Sequence, residues 1–315
     1  MIFDLYAELA SLPACPTTSA LPGGLASGFV DGCTTWFAKG QMDPDPRAGN
    51  QKKTEARGCY QRRGAAGPLQ LPSDLNLDPD FGDPLLTDWL SIEIRFKLLS
   101  PWYSKDDRPF HVLDNSVRKD RVFGVPYMSA ASWKGLLRWA CRMQVGLQEH
   151  LQRHGGKLDD WSDPDWIIHL FGNEKGKKED FLRGALAFYP TWFSQVGFEV
   201  INPHSRKTRA GTQPILYEVV PADTEGILRL LYAPLLGAAH RDGVKPAEAL
   251  QNLLDAAEQL LTVYGFSAKR TAGWGIAELA KVRACALGGG WKEAGRVQEL
   301  KHELTALLSP KAGQT

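Results

Sequence analysis

The 315-residue sequence predicts an α+β fold, and three segments carry that prediction. Trp89 to Leu99 (WLSIEIRFKLL) alternates apolar Leu90, Ile92, Ile94 and Phe96 with polar Ser91, Glu93, Arg95 and Lys97, the period of two of a half-buried strand. Ser129 and Ser132 offer N-cap hydroxyls to a segment in which Trp133, Leu136, Leu137, Ala140 and Cys141 recur at helical spacing, to about His154. Pro246 to Tyr264 sets Leu250, Leu253, Leu254, Ala257, Leu260 and Leu261 on one face of a second helix.

The elements follow in order. Residues 1–88 form an extension, rich in Pro, Gly, Ser and Asp over 13–86 and basic from Lys39 to Arg63. Few regular elements are expected there, and the region is read as irregular chain that orders on a partner. Its only candidates are a short element at IFDLYAELASL and a hairpin at GFVDGCTTWFAKG. Residues 89–285 are expected to form the core domain. After the first strand and helix come strands at GALAFYPTWF and FEVINPH, then a hairpin of PILYEVVP and GILRLLYAP around Ala222 to Gly226. The second helix and the strand GIAELAKVRA complete a β-α-β-β-α-β order, that of a ferredoxin-like domain. Residues 286–315 are expected to hold a C-terminal helix, Trp291 to Leu308, and a tail.

A hydrophobic content of 43% suffices for a sizeable core. Lys plus Arg number 37 against 36 Asp plus Glu, so a polyanion must be met by a local basic face. No run approaches the roughly 18–20 apolar residues of a membrane span, and the start lacks the basic segment of a secretory signal, so a cytoplasmic protein without a membrane partner is expected. Five scattered cysteines, 15, 33, 59, 141 and 285, fit reduced thiols, with Cys141 in the core.

Residues 113–142 carry the most chemistry. Asp114 is followed by Arg118, Lys119, Arg121, Lys134, Arg138 and Arg142, one carboxylate in a segment suited to a polyanion. Asp114 is either a metal ligand or base acting on RNA, or a turn cap. Ser129, Ser132, Lys134 and Arg138 surround a helix start, which suits phosphate unless it is simply a capped helix with a solvated face. GFSAKRTAGWG places Lys269 and Arg270 on a turn whose amides could meet a phosphate, and Trp274 beside them to stack on a base or to pack. It lacks the Gly-Lys-Ser or Gly-Lys-Thr ending of a nucleotide-hydrolysing loop. His204, Arg206 and Lys207 lie in a turn-rich insertion that reaches RNA, meets a neighbouring subunit or stays solvated. His150 and His154 are spaced for one helix face, but the favourable charge at a helix C-terminus explains them without zinc, and no metal ligands are assigned.

Three segments together resemble the RAMP superfamily of CRISPR-associated proteins. LDNSVRKDRVFGVPYMSAASWKGLLR is similar to the family's Asp-containing loop, Pro-Tyr turn and Ser-X-Lys-Gly-X-X-Arg helix start, through Asp114, Val117, Asp120, Pro126, Tyr127, Ser132, Lys134, Gly135 and Arg138. LFGNE at 170–174, followed by RGALAF, resembles the Leu-Phe-Gly element and its strand, and Gly265 to Gly275 the C-terminal glycine-rich loop. Where family members often carry a Gly-Ser-Ser turn, this chain has Met-Ser-Ala-Ala-Ser-Trp. The resemblance covers about residues 89–282 and implies a ferredoxin-like, RNA-recognition-motif-like subunit of a type III effector complex. Its partners would be guide RNA, complementary target RNA and other CRISPR effector subunits. It also implies an antiviral endoribonuclease activity through Asp114, with Mg²⁺ or another divalent metal, as in members that cut target RNA. A non-catalytic structural or capping subunit and a stand-alone repeat-processing endoribonuclease are the alternatives.

Overall fold

The computed structural model describes residues 32–64, 69, 76–77, 81–86, 88–106, 111–120, 124–173, 182–203, 211, 214–234 and 243–308. In chain order the elements are α1 (Gly32–Gln41), α2 (Pro46–Gly64), β1 (Leu90–Leu98), β2 (Tyr127–Met128), α3 (Ala130–Gln144), α4 (Leu147–Arg153) and α5 (Asp165–Phe171). There follow β3 (Leu186–Phe188), β4 (Thr191–Trp192), β5 (Gly197–Ile201), β6 (Ile215–Val219), β7 (Glu225–Tyr232), α6 (Pro246–Gln259), β8 (Ala277–Ala286), β9 (Trp291–Ala294) and α7 (Val297–Leu308). The chain is α+β, as the sequence predicts. Among the described residues no helix is long and apolar enough to cross a membrane.

A five-stranded sheet in the order β3-β7-β1-β8-β9, antiparallel throughout, forms the centre. β1 and β3 therefore run in the same direction with β7 between them, and β7 and β8 likewise flank β1. Two split β-α-β units are interleaved. The alternation in β1 sends Leu90, Ile92, Ile94, Phe96 and Leu98 into the main core, where Trp133 and Leu137 of α3 and Leu250, Leu253 and Leu254 of α6 also lie. Phe96 meets Trp133 edge to face at 6.2 Å, which puts α3 on this side of the sheet. On the other side Glu93 is fully buried and accepts hydrogen bonds from Arg229 of β7 (2.8 Å) and Arg283 of β8 (2.6 Å), so the central strand is held on its polar face too.

Four expectations are corrected. The extension is not irregular throughout: α1 and α2 occupy residues 32–64, and the segment read as a hairpin at 28–40 ends in helix α1. These helices owe their stability to tertiary burial, since Cys33, Ala56, Cys59 and Tyr60 pack with Val112 and Leu113. The short element expected at IFDLYAELASL lies outside the described residues. PILYEV and GILRLLY do not pair with one another. β6 pairs with β5, and β7 joins the main sheet, because the five residues between them redirect the chain rather than closing a hairpin. The helix starting at Ala130 stops at Gln144, where Gly146 takes a φ of +93°, and α4 begins anew at Leu147. Finally, Trp291 to Ala294 forms an edge strand on β8, and α7 starts only at Val297.

Candidate nucleic-acid interface

The start of α3 and the glycine-rich turn meet across a cleft of about 360 Å³. Ser129 caps α3, its Oγ accepting from the Ser132 amide at 3.1 Å, and the two hydroxyls lie 2.8 Å apart. Trp133 buries its ring against Phe266, stacked at 5.1 Å, and so ties the helix to the turn. Ser104, Met128, Ser132, Gly135, Leu136 and Arg270 are among the residues that line the opening. The structure thus brings together two of the sequence-predicted groups that lie some 130 residues apart.

The turn itself is stitched to residues 101–103. Ser267 Oγ donates to the Tyr103 carbonyl (3.0 Å) and accepts from the amides of Tyr103 (3.1 Å) and Lys269 (3.2 Å). Gly275 has a φ of +81°, and a Cβ there would stand 2.5 Å from the Ser267 amide nitrogen, so only glycine fits this crossing. The amides of Phe266, Ala268, Ala272, Gly273, Trp274 and Gly275 all donate to backbone carbonyls. These amides are committed within the fold, and the turn adds the side-chain charge of Lys269 and Arg270. Arg270 lies over the ring of Trp139 at 4.6 Å and Lys269 over Tyr217 at 5.0 Å, each cation set by an aromatic face. Trp274, half-buried, packs edge-on against Tyr217 (5.6 Å) and Tyr103 (6.4 Å).

Of the cations on α3, Lys134 is exposed, yet its ammonium is held below its ordinary pKa, first by desolvation and then by the neighbouring charge of Arg138. Arg138 is engaged by Asp163: its guanidinium donates at 2.9 and 2.5 Å, Arg142 at 2.6 and 2.8 Å, and Trp161 Nε1 at 2.8 Å. Burial alone would raise the Asp163 carboxyl pKa. The hydrogen bonds from Arg142, Trp161 and Arg138 outweigh it and lower the pKa.

Residues 111–120 form an anchored loop. Val112, Leu113, Ser116 and Val117 are buried, while the Asp114 side chain is 86% exposed and meets Arg57 of α2 at 3.5 Å. The cap in this region is Asp120, which accepts from the Val125 amide at 2.8 Å. Lys119 is buried and ion-paired with Glu218 of β6, beside the Tyr60 hydroxyl, and Glu218 also accepts from the Val117 amide at 3.0 Å. Arg118 donates its amide to the Ser104 carbonyl (2.7 Å), which brings this loop to the rim of the cleft. Arg121, His204, Arg206 and Lys207 lie outside the described residues. His150 and His154 stack at 4.0 Å. Among the described residues no three His, Cys, Asp or Glu side chains form a metal-sized group.

Sequence reasoning missed Arg57, Trp139, Tyr217, Asp163 and Glu218. Only Trp139 had a local signal, four residues before Met143 and five after Lys134 on a helix already recognised. The others act across 21 to 158 residues of chain, where spacing carries no information.

No curated protein matches this chain. Among solved structures it is similar to a chain of the Type III-B Cmr-beta complex bound to cognate target RNA (14% identity, TM-score 0.40, covering 63% of this chain and 61% of that one). It is also similar to a chain of the Csm3-Csm4 subcomplex of the type III-A CRISPR-Cas interference complex (16% identity, TM-score 0.42, 71% and 98%). A third is a chain of a CRISPR RNA-guided surveillance complex (14% identity, TM-score 0.43, 69% and 81%). This chain spans about three fifths of the Cmr-beta chain's length. The family model of the RAMP superfamily matches residues 95–278, from within β1 through the glycine-rich turn into β8, and with more than half of its length so matched the chain belongs to the RAMP superfamily.

Proposed function

We propose that this chain is a guide-RNA-binding subunit of a type III CRISPR effector complex, and that it cuts bound target RNA at Asp114. The observation that carries the reading is the cleft where Ser132, Gly135 and Arg270 converge, with Lys134 exposed on the same helix. A helix start, Arg270 set on Trp139 and the exposed Lys134 suit a phosphate backbone, and an apolar wall of Met128 and Leu136 suits sugar and base. Backbone contacts rather than base readout should dominate in such a groove, as a subunit that accepts any guide requires. RNA binding should be salt-sensitive and nearly indifferent to sequence.

For cutting, Asp114 takes the proton of a 2′-hydroxyl as that oxygen bonds to phosphorus. The bond to the 5′-oxygen breaks, the leaving oxygen takes a proton from water, and the proton held by Asp114 replaces it. The ends are a 2′,3′-cyclic phosphate and a 5′-hydroxyl. Asp114 is a single carboxylate facing a guanidinium, and among the described residues no group of three His, Cys, Asp or Glu side chains gathers to hold a divalent metal. Asp114→Ala in the assembled complex should abolish target cleavage and leave RNA binding intact. Unchanged cleavage would remove Asp114 from the mechanism. A second reading, a non-cutting capping subunit, draws on the Arg57–Asp114 contact, by which the extension occupies the carboxylate's surroundings.

A further inference from the structure

The α1–α2 hairpin lies outside the span matched by the family model, yet it delivers a guanidinium to Asp114. Arg57 makes three contacts. Its Nε donates to the Val112 carbonyl (3.4 Å), its Nη2 meets Asp114 Oδ2 (3.5 Å), and the group lies over the Phe37 ring of α1 (5.2 Å). The loop beneath cannot shift away, because Tyr60 of the same helix hydrogen-bonds Glu218, which is itself bonded to the loop amide of Val117. Asn50, Lys53, Arg57 and Gln61 follow one another at spacings of three, four and four, so they lie along one side of α2, from which Arg57 reaches this loop. All four side chains are donors, and Lys53 and Arg57 are the two cations among them.

From this arrangement we infer that the extension is a second RNA-contacting wall: the side of α2 bearing Lys53 and Arg57 tracks the phosphates of the target strand, and Arg57 holds the phosphate next to Asp114. The inference rests on the proposed RNA-cutting reading and names the residue that reading lacks, a cation at the reacting phosphate. The Arg57–Asp114 contact is long and exposed, and such surface pairs exchange readily, so a phosphate can take the guanidinium and leave the carboxylate free for the 2′-hydroxyl. Charge favours RNA over a protein partner here. Within Gly32 to Gly64 there are seven Lys and Arg against three Asp and Glu, in a chain that is otherwise balanced.

The test measures binding of a labelled single-stranded RNA to the full chain over a salt series, and cleavage of target RNA by the assembled complex. The proteins compared are wild type, Arg57→Ala, Arg57→Lys, Lys53→Ala and the cleft variant Arg270→Ala. The expected result is a log–log salt slope shallower by about 0.7 for each lost phosphate contact in Lys53→Ala and Arg57→Ala. Cleavage should fall roughly 10- to 100-fold in Arg57→Ala, mostly in kcat, with partial recovery in Arg57→Lys. If Arg270→Ala weakens binding while both α2 variants keep the wild-type slope and rate, the second wall is wrong and the cleft stands. If the wild-type chain binds no RNA, the underlying reading falls first and takes the inference with it. The same arms exclude a protein-docking role, in which the α2 variants would lose assembly with their salt slope unmoved.

Discussion

The Nζ of Lys119 and the carboxylate of Glu218 are both buried, with the Tyr60 hydroxyl against them, so neither charge is available to solvent. Burying two ions costs several kcal/mol each, which their mutual attraction and the added hydrogen bonds offset only while all partners are present. Glu218→Gln should therefore leave the Lys119 ammonium uncompensated and destabilise the chain by about 3–5 kcal/mol. Urea unfolding at neutral pH measures this, and a loss below about 1 kcal/mol would show that the group contributes like a surface pair. The same residue shows what sequence can convey at this scale. Lys119 reads as a cation in a basic segment beside Arg118, but its partner lies 99 residues away on β6, so nothing local marks it as interior. Arg138 is a parallel case, engaged by Asp163 through a contact the sequence does not announce. Asp114 reads correctly as a carboxylate in a basic loop, and its exposure follows from the buried residues on either side of it.

At the scale of elements, α3 positions the cleft, and Asp163 holds it from outside through Arg138 and Arg142, one helical turn apart. Asp163→Asn should cost about 2 kcal/mol, the order expected for hydrogen bonds to a charged group. Because the folded-state pKa of Asp163 is lowered, its contribution is complete above the ordinary aspartate value and is lost as pH falls through the folded value. The stability gap between wild type and Asp163→Asn, followed by urea unfolding along a pH series, should close in acid. A gap that widened there would contradict the assignment. The long periodic elements β1, α3 and α6 were legible because each repeats its pattern over two or more turns or four alternations. The short ones were not. β2 and β4 hold two residues each, and the split between α3 and α4 turns on the backbone angle of Gly146.

Across the whole molecule, the interleaved sheet order follows from the predicted sequence of strands and helices, whereas the partnering of β6 with β5 and the helices of the extension do not. Such features are set by tertiary burial. α2 is strongly polar, and its tertiary contacts, chiefly through Ala56, Cys59 and Tyr60 with Cys33, Val112 and Leu113, explain why it is ordered. The candidate site divides the same way. The start of α3 and the glycine-rich turn were readable as motifs, but their meeting through Trp133 and Phe266, and the setting of Arg270 on Trp139, exist only in the fold. The molecule that results is a sheet with two helices on one face, a cleft at the start of α3, and a basic helical hairpin beside Asp114. On this reading the assembly holds RNA within a larger complex. The most direct measurement is to isolate a tagged full chain at moderate salt from the organism that makes it, then sequence the RNA and identify the proteins that accompany it. Repeat-derived guides together with sibling effector subunits are the predicted result, and a clean monomer free of RNA would contradict the account.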